Sequence, residues 1–403
     1  MNLHELGRRL AAAREARRLA QEEVAQVLGV TRVLVSHWER GQRRPSEGVL
    51  ERLAALYGVS LLELLDGAAP EATSDLVELL YRDAGDAIDA RARAGLRDWI
   101  QFLDVYADLI EDCGEEFVPL RQSPFFVRRG FTGREDIRRK AEEVRAAYRL
   151  GFGPIGDLPS VLDEAGITVY RTPLGADLKR SVSGAFHNHV RMGMSIVVNA
   201  DTTPGRQMFT MAHELAHALY HSGETNQVLS PWGRVNERER FADLWAGEFL
   251  LPLEGLRRAV EGLGIKAVTE PEQAVHLQRY FGVSYALMLL RLAQARLVDD
   301  VVYDRLKSAR PLVIAARLGY RVASEEWHQD TNRWRLERFP RRFVRLLLYA
   351  LRSDRMSVAS AASLTGLTID EIADLVRPTR EDFDPAVTEE LEQLRDVRDR
   401  VIA

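Results

Sequence analysis

Cysteine is nearly absent from this chain. A single residue, Cys113, stands among 403, so no intramolecular disulfide can form and a reducing compartment suits the protein. Long apolar runs are missing as well, and none nears the ~20 residues that span a bilayer. The opening residues, MNLHELGRRL, lack the apolar core of a secretory signal. These absences set the expectation of a cytoplasmic protein with no membrane partner. Positive charge is not in excess either. The formal net charge is -5, which excludes bulk attraction to nucleic acid and leaves DNA contact only to a local cluster. What remains is ordinary for a globular chain: 46% hydrophobic and 29% charged residues, with length enough for two to four separate cores.

Against that background one stretch carries chemistry. Two of the nine histidines stand four apart in His213-Glu214-Leu215-Ala216-His217, inside an apolar run over 208–220. On an α-helix such residues lie one above the other, ~6 Å apart along the axis, so two imidazoles can converge on one zinc ion. Glu214, one step round the helix, is placed to act as general base on a water there. Phe209, Ala212, Leu215, Ala216 and Leu219 recur at helical spacing, which predicts a half-buried, rigid helix.

A catalytic zinc needs a third protein ligand and an open position. Residues 236–252 start charged, turn apolar and close at Pro252, which reads as a second helix. Glu239 shares a face with Ala242 and Ala246, small residues that permit close approach to the first helix. Glu239 is the best third ligand; Asp243 is either a weaker candidate or an acceptor that orients a ligand histidine. His221, eight residues beyond His213, lies ~12 Å along the axis, too far to join the same ion. It is expected to line the cleft or cap the helix.

The runs RQMFTMAHELAHALYH, ERFADLWAGEFLLP and FGVSYALMLLRL resemble, in that order, the ImmA/IrrE family of zinc metallopeptidases, over residues 137–298. The resemblance implies zinc held by His213, His217 and Glu239, Glu214 as catalytic base, and repressor proteins as substrates cut at a limited site. The stretches 182–186 and 196–199 look like the family's short strands. An edge strand there could hold an extended peptide by β-augmentation.

The N-terminal residues 1–67 read as five short helices: 3–17, 21–28, 32 to 39 or 40, 49–57 and 61–65. Gly29 and Gly41 end two of them, and Thr31 is placed as an N-cap. Val24, Ala25, Leu28, Val30, Val35, Trp38, Leu50, Leu53, Ala54 and Leu56 would form one small core. A helix, a tight glycine turn and a second helix is the helix-turn-helix arrangement, whose second helix enters the major groove. The run LAQEEVAQVLGVTRVLVSHWERGQRRPSEGVLERLAALYGVSL resembles the repressor-type XRE (Cro/C1) family along its length. That resemblance implies that Arg32, Val33, Ser36 and His37 face base edges, while Gln21, Arg40, Arg43 and Arg44 contact phosphates or sugars. Ten arginines stand against nine acidic residues up to Asp66, so long-range steering is weak and the arginines must cluster.

Elsewhere the chain is plainer. Residues 67–74 have linker composition, and an apolar stripe from Leu76 to Ile110, weakened at Gly85 and Gly95, reads as spacer or dimerisation helices. Phe125 and Phe126 stand in an exposed-looking loop. Residues 358–376 contain a weak second helix-turn-helix pattern, but its second helix carries Asp370, Glu371 and Asp374, which favours a helical bundle with a regulatory or dimerisation role. The expected fold class is a multidomain, mainly α chain with one α+β domain. Its parts are 1–67 (helix-turn-helix), 68–135 (linker and spacer helices), 136–298 (metallopeptidase) and 299–403 (helical, regulatory). The expected protein is a DNA-binding transcriptional regulator carrying a zinc endopeptidase, homodimeric, with double-stranded DNA and a protein substrate such as a repressor as partners. The alternative is a transcription factor whose zinc domain is structural or senses a ligand without turnover.

Overall fold

In the computed structural model, described over residues 3–16, 19–57, 90–125, 133–175, 182–222, 227–231, 236–320 and 336–376, four helices come first. They are α1 (Leu3–Ala16), α2 (Gln21–Leu28), α3 (Arg32–Glu39) and α4 (Glu47–Tyr57). Gly29 stops α2 in the left-handed region at φ 69°, and the Thr31 hydroxyl accepts the Leu34 amide at 3.3 Å to start α3. Leu6, Leu10, Val24, Val35, Trp38, Leu50 and Tyr57 close a small core. Glu39, bound by Arg14 at 2.6 Å, ties α3 to α1. The expected helix 61–65, the linker 67–74, the stripe from Leu76 to Ile88 and Phe126 lie outside the described residues.

The next helix, α5 (Ala90–Cys113), has 24 residues and is ~36 Å long at 1.5 Å per residue. Gly95 does not weaken it. A Cβ there would lie 2.6 Å from the Pro173 carbonyl oxygen, so glycine lets the helix backbone approach the loop that follows the first strand. Two short helices, α6 (Arg134–Ala147) and α7 (Leu158–Glu164), lead to β1 (Thr168–Thr172), β2 (Val182–His189) and β3 (Gly193–Asn199). After α8 (Pro204–Tyr220) comes a fourth strand, β4 (Gln227–Pro231), then α9 (Glu237–Leu250). The sheet order is β1-β3-β2-β4, parallel between β1 and β3 and antiparallel elsewhere.

Alternation along the strands divides two cores. Val169, Phe186, Ile196 and Val198 face α8 and α9. Tyr170, Ala185 and Val197 face α5. The sheet is thus sandwiched, and the stripe Leu96, Ile100, Leu103 and Ile110, expected as spacer or dimer contact, is buried within the chain. Trp99 Nε1 donates to Ser195 Oγ at 2.9 Å across that layer.

Two expectations change here. The strand around 182–186 is not an edge, because β4 pairs with its outer side, Gly184 opposite Ser230. The C-terminal region also does not stand apart: Phe339, Phe343, Leu346 and Leu347 join the α5 core. Phe102 stacks on Tyr170 at 4.7 Å and meets Phe343 edge-on at 5.0 Å. Helices α10 (Leu253–Gly262), α11 (Pro271–Phe281), α12 (Tyr285–Gln294), α13 (Asp300–Lys307) and α14 (Pro311–Arg317) follow α9. The last three are α15 (Arg341–Arg352), α16 (Val358–Thr365) and α17 (Ile369–Val376).

Candidate metal centre and nucleic-acid interface

Helix α8 opens with Pro204 at its first turn, where no amide donor is needed, and is buried from Thr210 to Tyr220. Helix α9 opens on Asn236, whose side chain accepts the Glu239 amide at 2.9 Å. This cap fixes residue 239 three positions into the helix and turns its carboxylate toward α8. The far end of α9 is held as firmly. Arg145 Nη1 donates to the Phe249 carbonyl at 2.5 Å, and Arg291 binds the Leu251 carbonyl at 2.9 Å and Glu248 at 2.6 Å.

Between the two helices His213, His217 and Glu239 converge. Their donor atoms lie within 4.8 Å of one another, the one such group of His, Cys, Asp and Glu among the described residues. His213 Nε2 stands 3.1 Å from Glu239 Oε2, the two Nε2 atoms are 3.1 Å apart, and His217 Nε2 is 3.6 Å from Glu239 Oε1. Ligands at ~2.0–2.1 Å from a tetrahedral ion lie ~3.3 Å from each other. The spacings match that figure, and two imidazoles with one carboxylate are the donors borderline zinc takes, so the residues fit the ion.

Outer partners hold each imidazole. Asp243 Oδ1 lies 2.9 Å from His213 Nδ1, and His221 Nδ1 lies 2.9 Å from His217 Nδ1. Of the two roles expected for Asp243, this geometry is that of the orienting acceptor. His221 is the C-cap residue of α8 and is buried. Its contact with His217 was not legible in the sequence, where only its distance from His213 could be weighed. These bonds set the proton positions. With Nδ1 of His217 donating to His221, the Nε2 lone pair of His217 points at the centre.

Without an ion, the group is held together by a shared proton and charge. Burial opposes charge on His213, but its bonds to Asp243 and Glu239 push it up to about 10. Burial likewise opposes ionisation of Glu239, yet the two histidines hold it well below the usual carboxylate range. Burial lowers His217, and burial together with the neighbouring His217 lowers His221 to about 3. Burial thus favours the neutral form of both His217 and His221.

Glu214 is fully buried beside this group. Strand β2 crosses directly over it: a Cβ at Gly184 would lie 3.1 Å from Glu214 Cγ and 2.6 Å from Thr210 Cγ2. Only glycine leaves the base its room, a requirement nothing in the one-dimensional pattern announced. Tyr220, the last residue of α8, is turned away from this group. Its hydroxyl donates to the Lys140 carbonyl at 3.2 Å and its ring packs on Phe241 and Trp245.

At the N-terminal module, Arg32, Val33, Arg40, Arg43 and Arg44 are exposed, while Gln21, Ser36 and His37 are half-buried. Val35 and Trp38 point into the core, so α3 divides into a packed and a presented face. Without DNA the polar groups satisfy each other: Arg40 Nη2 donates to Ser36 Oγ at 2.6 Å, and Gln21 Nε2 to Glu39 Oε2 at 2.8 Å.

A helix-turn-helix module and a sheet backed by a helix pair that brings together two histidines and a glutamate are the two recognisable parts of the described residues. Comparison with known families gives the same two parts. Residues 5–66 match the helix-turn-helix domain, and residues 162–293 match the IrrE N-terminal-like domain of peptidase type M78. The two matches fall in that order along the chain, the first near its N-terminus and the second over its central part. No curated protein matches it. No described helix is long and apolar enough to cross a membrane.

Proposed function

We propose that the protein is a cytoplasmic DNA-binding regulator carrying a zinc-dependent endopeptidase that cuts a protein substrate, such as a repressor. The carrying observation is the convergence of His213, His217 and Glu239 beside the buried Glu214. A purely structural site has no need of a base at that position. When bound, zinc supplies Lewis acidity, lowering the pKa of water and polarising the scissile carbonyl. Asp243 and His221 orient the two imidazoles and fix their tautomers. Glu214 takes a proton from the attacking water and hands it to the leaving nitrogen as the C–N bond breaks, so the products are a carboxylate and an amine. On the DNA side, Arg32, Val33, Ser36 and His37 read bases, and Gln21, Arg40, Arg43 and Arg44 hold the backbone.

The functional boundaries follow as 1–67 for DNA reading and 136–298 for catalysis. Helix α5 and residues 336–376 share one core and act together as the regulatory frame. Zinc stoichiometry of the wild type against Glu239→Ala, with cleavage followed in Glu214→Gln, tests the proposal. Zinc retained at full stoichiometry without Glu239, or cleavage persisting in Glu214→Gln, would overturn it.

A further inference from the structure

Among the described residues, the last helix pair repeats the pattern of α2 and α3. Helix α2 has eight residues, then Gly29 at φ 69°, an apolar residue, a threonine cap and the eight residues of α3. Helix α16 has eight residues, then Gly366 at φ 69°, Leu367, Thr368 and the eight residues of α17. Each threonine hydroxyl accepts the amide three residues on, from Leu34 at 3.3 Å and from Glu371 at 3.2 Å. Val30, half-buried, and Leu367, buried, pack from the two turns against their cores, and each second helix sends one side inward, Val35 and Trp38 in α3 and Ile372 in α17. Helix α15 contacts both members of the pair and joins them to the α5 core. Residues 341–376 therefore form a second helix-turn-helix unit.

The two units present opposite signs. Residues 341–376 hold five arginines and four acidic residues, a balance like that of residues 1–66. The distribution is inverted, however. Four of these arginines lie on α15 and the fifth beyond its end, and they reach back to the chain: Arg341 to Asp157 at 2.6 Å, Arg345 to Glu115 at 2.5 Å, and Arg355 to the Asp112 carbonyl. The presented face of α17 carries exposed Asp370 and Asp374 around Ile369, which is 58% exposed. Aligned on the threonine caps, Asp370 stands where α3 has Val33, 61% exposed, and Ile369 where α3 has exposed Arg32; exposed Arg40, Arg43 and Arg44 follow α3. A helix of acidic sign is repelled by a groove walled with one phosphate per ~1.7 Å, so the second unit is not a DNA reader.

We propose that α17 docks the basic reading face of the first unit in a second copy of this chain. Asp370 and Asp374 would meet Arg32, Arg40, Arg43 and Arg44, with Ile369 set against Val33. Two such contacts related by a two-fold axis close a dimer. The dimer hides the surface that binds DNA, so self-association and DNA binding exclude each other. The DNA half of this inference rests on the reading of α3 given above; the self-association half does not.

Sedimentation velocity on the full-length chain separates the two. The wild type is a dimer at low salt and dissociates as salt rises. Asp370→Lys/Asp374→Lys, at exposed positions, weakens self-association at least about tenfold, and adding Arg40→Glu/Arg43→Glu to that variant restores it. Titrating a non-specific duplex into the wild type converts dimer into monomer–DNA complex. A wild type that stays monomeric overturns the proposal, as does a dimer indifferent to the charge reversal or one that binds duplex while remaining a dimer. If the dimer behaves as stated and no duplex binds, the docking stands and the DNA reading of α3 falls instead.

Discussion

The proposed metal centre and the proposed DNA-reading face solve opposite problems. At the proposed centre each candidate ligand is buried and has an outer partner: His213 has Asp243, His217 has His221, and the Glu239 backbone has the cap at Asn236. At the proposed reading face the arginines are exposed; Arg40 pairs with Ser36, and Gln21 with Glu39, which Arg14 also binds. An ion bound at ~2 Å tolerates little error, so its ligands are fixed before it arrives. A DNA backbone offers many equivalent phosphates, so side chains there can exchange an internal partner for an external one at small cost. If this contrast is right, single substitutions at the centre cost orders of magnitude, while single substitutions at the face cost severalfold.

The largest effect is expected at Glu214. Glu214→Gln keeps volume and leaves the three ligands in place, so zinc stoichiometry and DNA binding are unchanged while cleavage falls by about 10²–10⁴. Cleavage of a protein substrate, followed by gel at equal zinc loading, is the measurement, and near-wild-type turnover would remove the base from the mechanism. Next comes Glu239→Ala. It deletes one of three ligands and strands two histidines around a vacancy, so zinc affinity in competition with a chelator falls by more than ~100-fold. The apo protein loses the stabilisation that zinc gives the wild type, and its melting temperature becomes insensitive to added zinc.

How much of this contrast was legible depended on the range of the interactions involved. The spacing of His213 and His217 and the alanine face behind Glu239 are properties of single helices, and a helix repeats its geometry faithfully enough to be read from residue numbers. The caps Thr31 and Gly29 are legible for the same reason. The environment of α5 was not. Its stripe announces burial without naming the partner, which turns out to be a sheet on one side and Phe339 and Phe343, more than 200 residues away, on the other. Strand β4 was missed because five residues between two helices carry too little alternation to mark a strand. Gly184 gave no signal, since its need is the proximity of Glu214 and Thr210 from another element.

His221 sharpens the contrast, because it tests whether the outer shell of the centre matters as well as the ligands. His221→Phe keeps a ring packed against Phe241 but removes the acceptor for His217 Nδ1, and a 10–100-fold loss of zinc affinity is expected. His221→Asn offers an oxygen near the same place and should recover most of that loss. Equal affinity in the Phe and Asn variants would mean the residue only fills space.

The smallest effect belongs to the reading face and is visible chiefly as a slope. Arg44 is exposed and is assigned a phosphate contact by the helix-turn-helix resemblance. A phosphate contact contributes through release of condensed counterions, so its loss lowers the dependence of log affinity on log salt by ~0.9 per contact. Arg44→Ala should therefore weaken binding to every duplex alike, by a severalfold factor that shrinks as salt rises, and leave base preference intact. Arg32→Ala, at a position assigned to base edges, should change preference among sequences as well. Anisotropy titrations of both variants against several duplexes across a salt series separate the two behaviours. A sequence-dependent loss in Arg44→Ala would move that residue into the groove, and the division between positioning and reading side chains on this face would have to be redrawn.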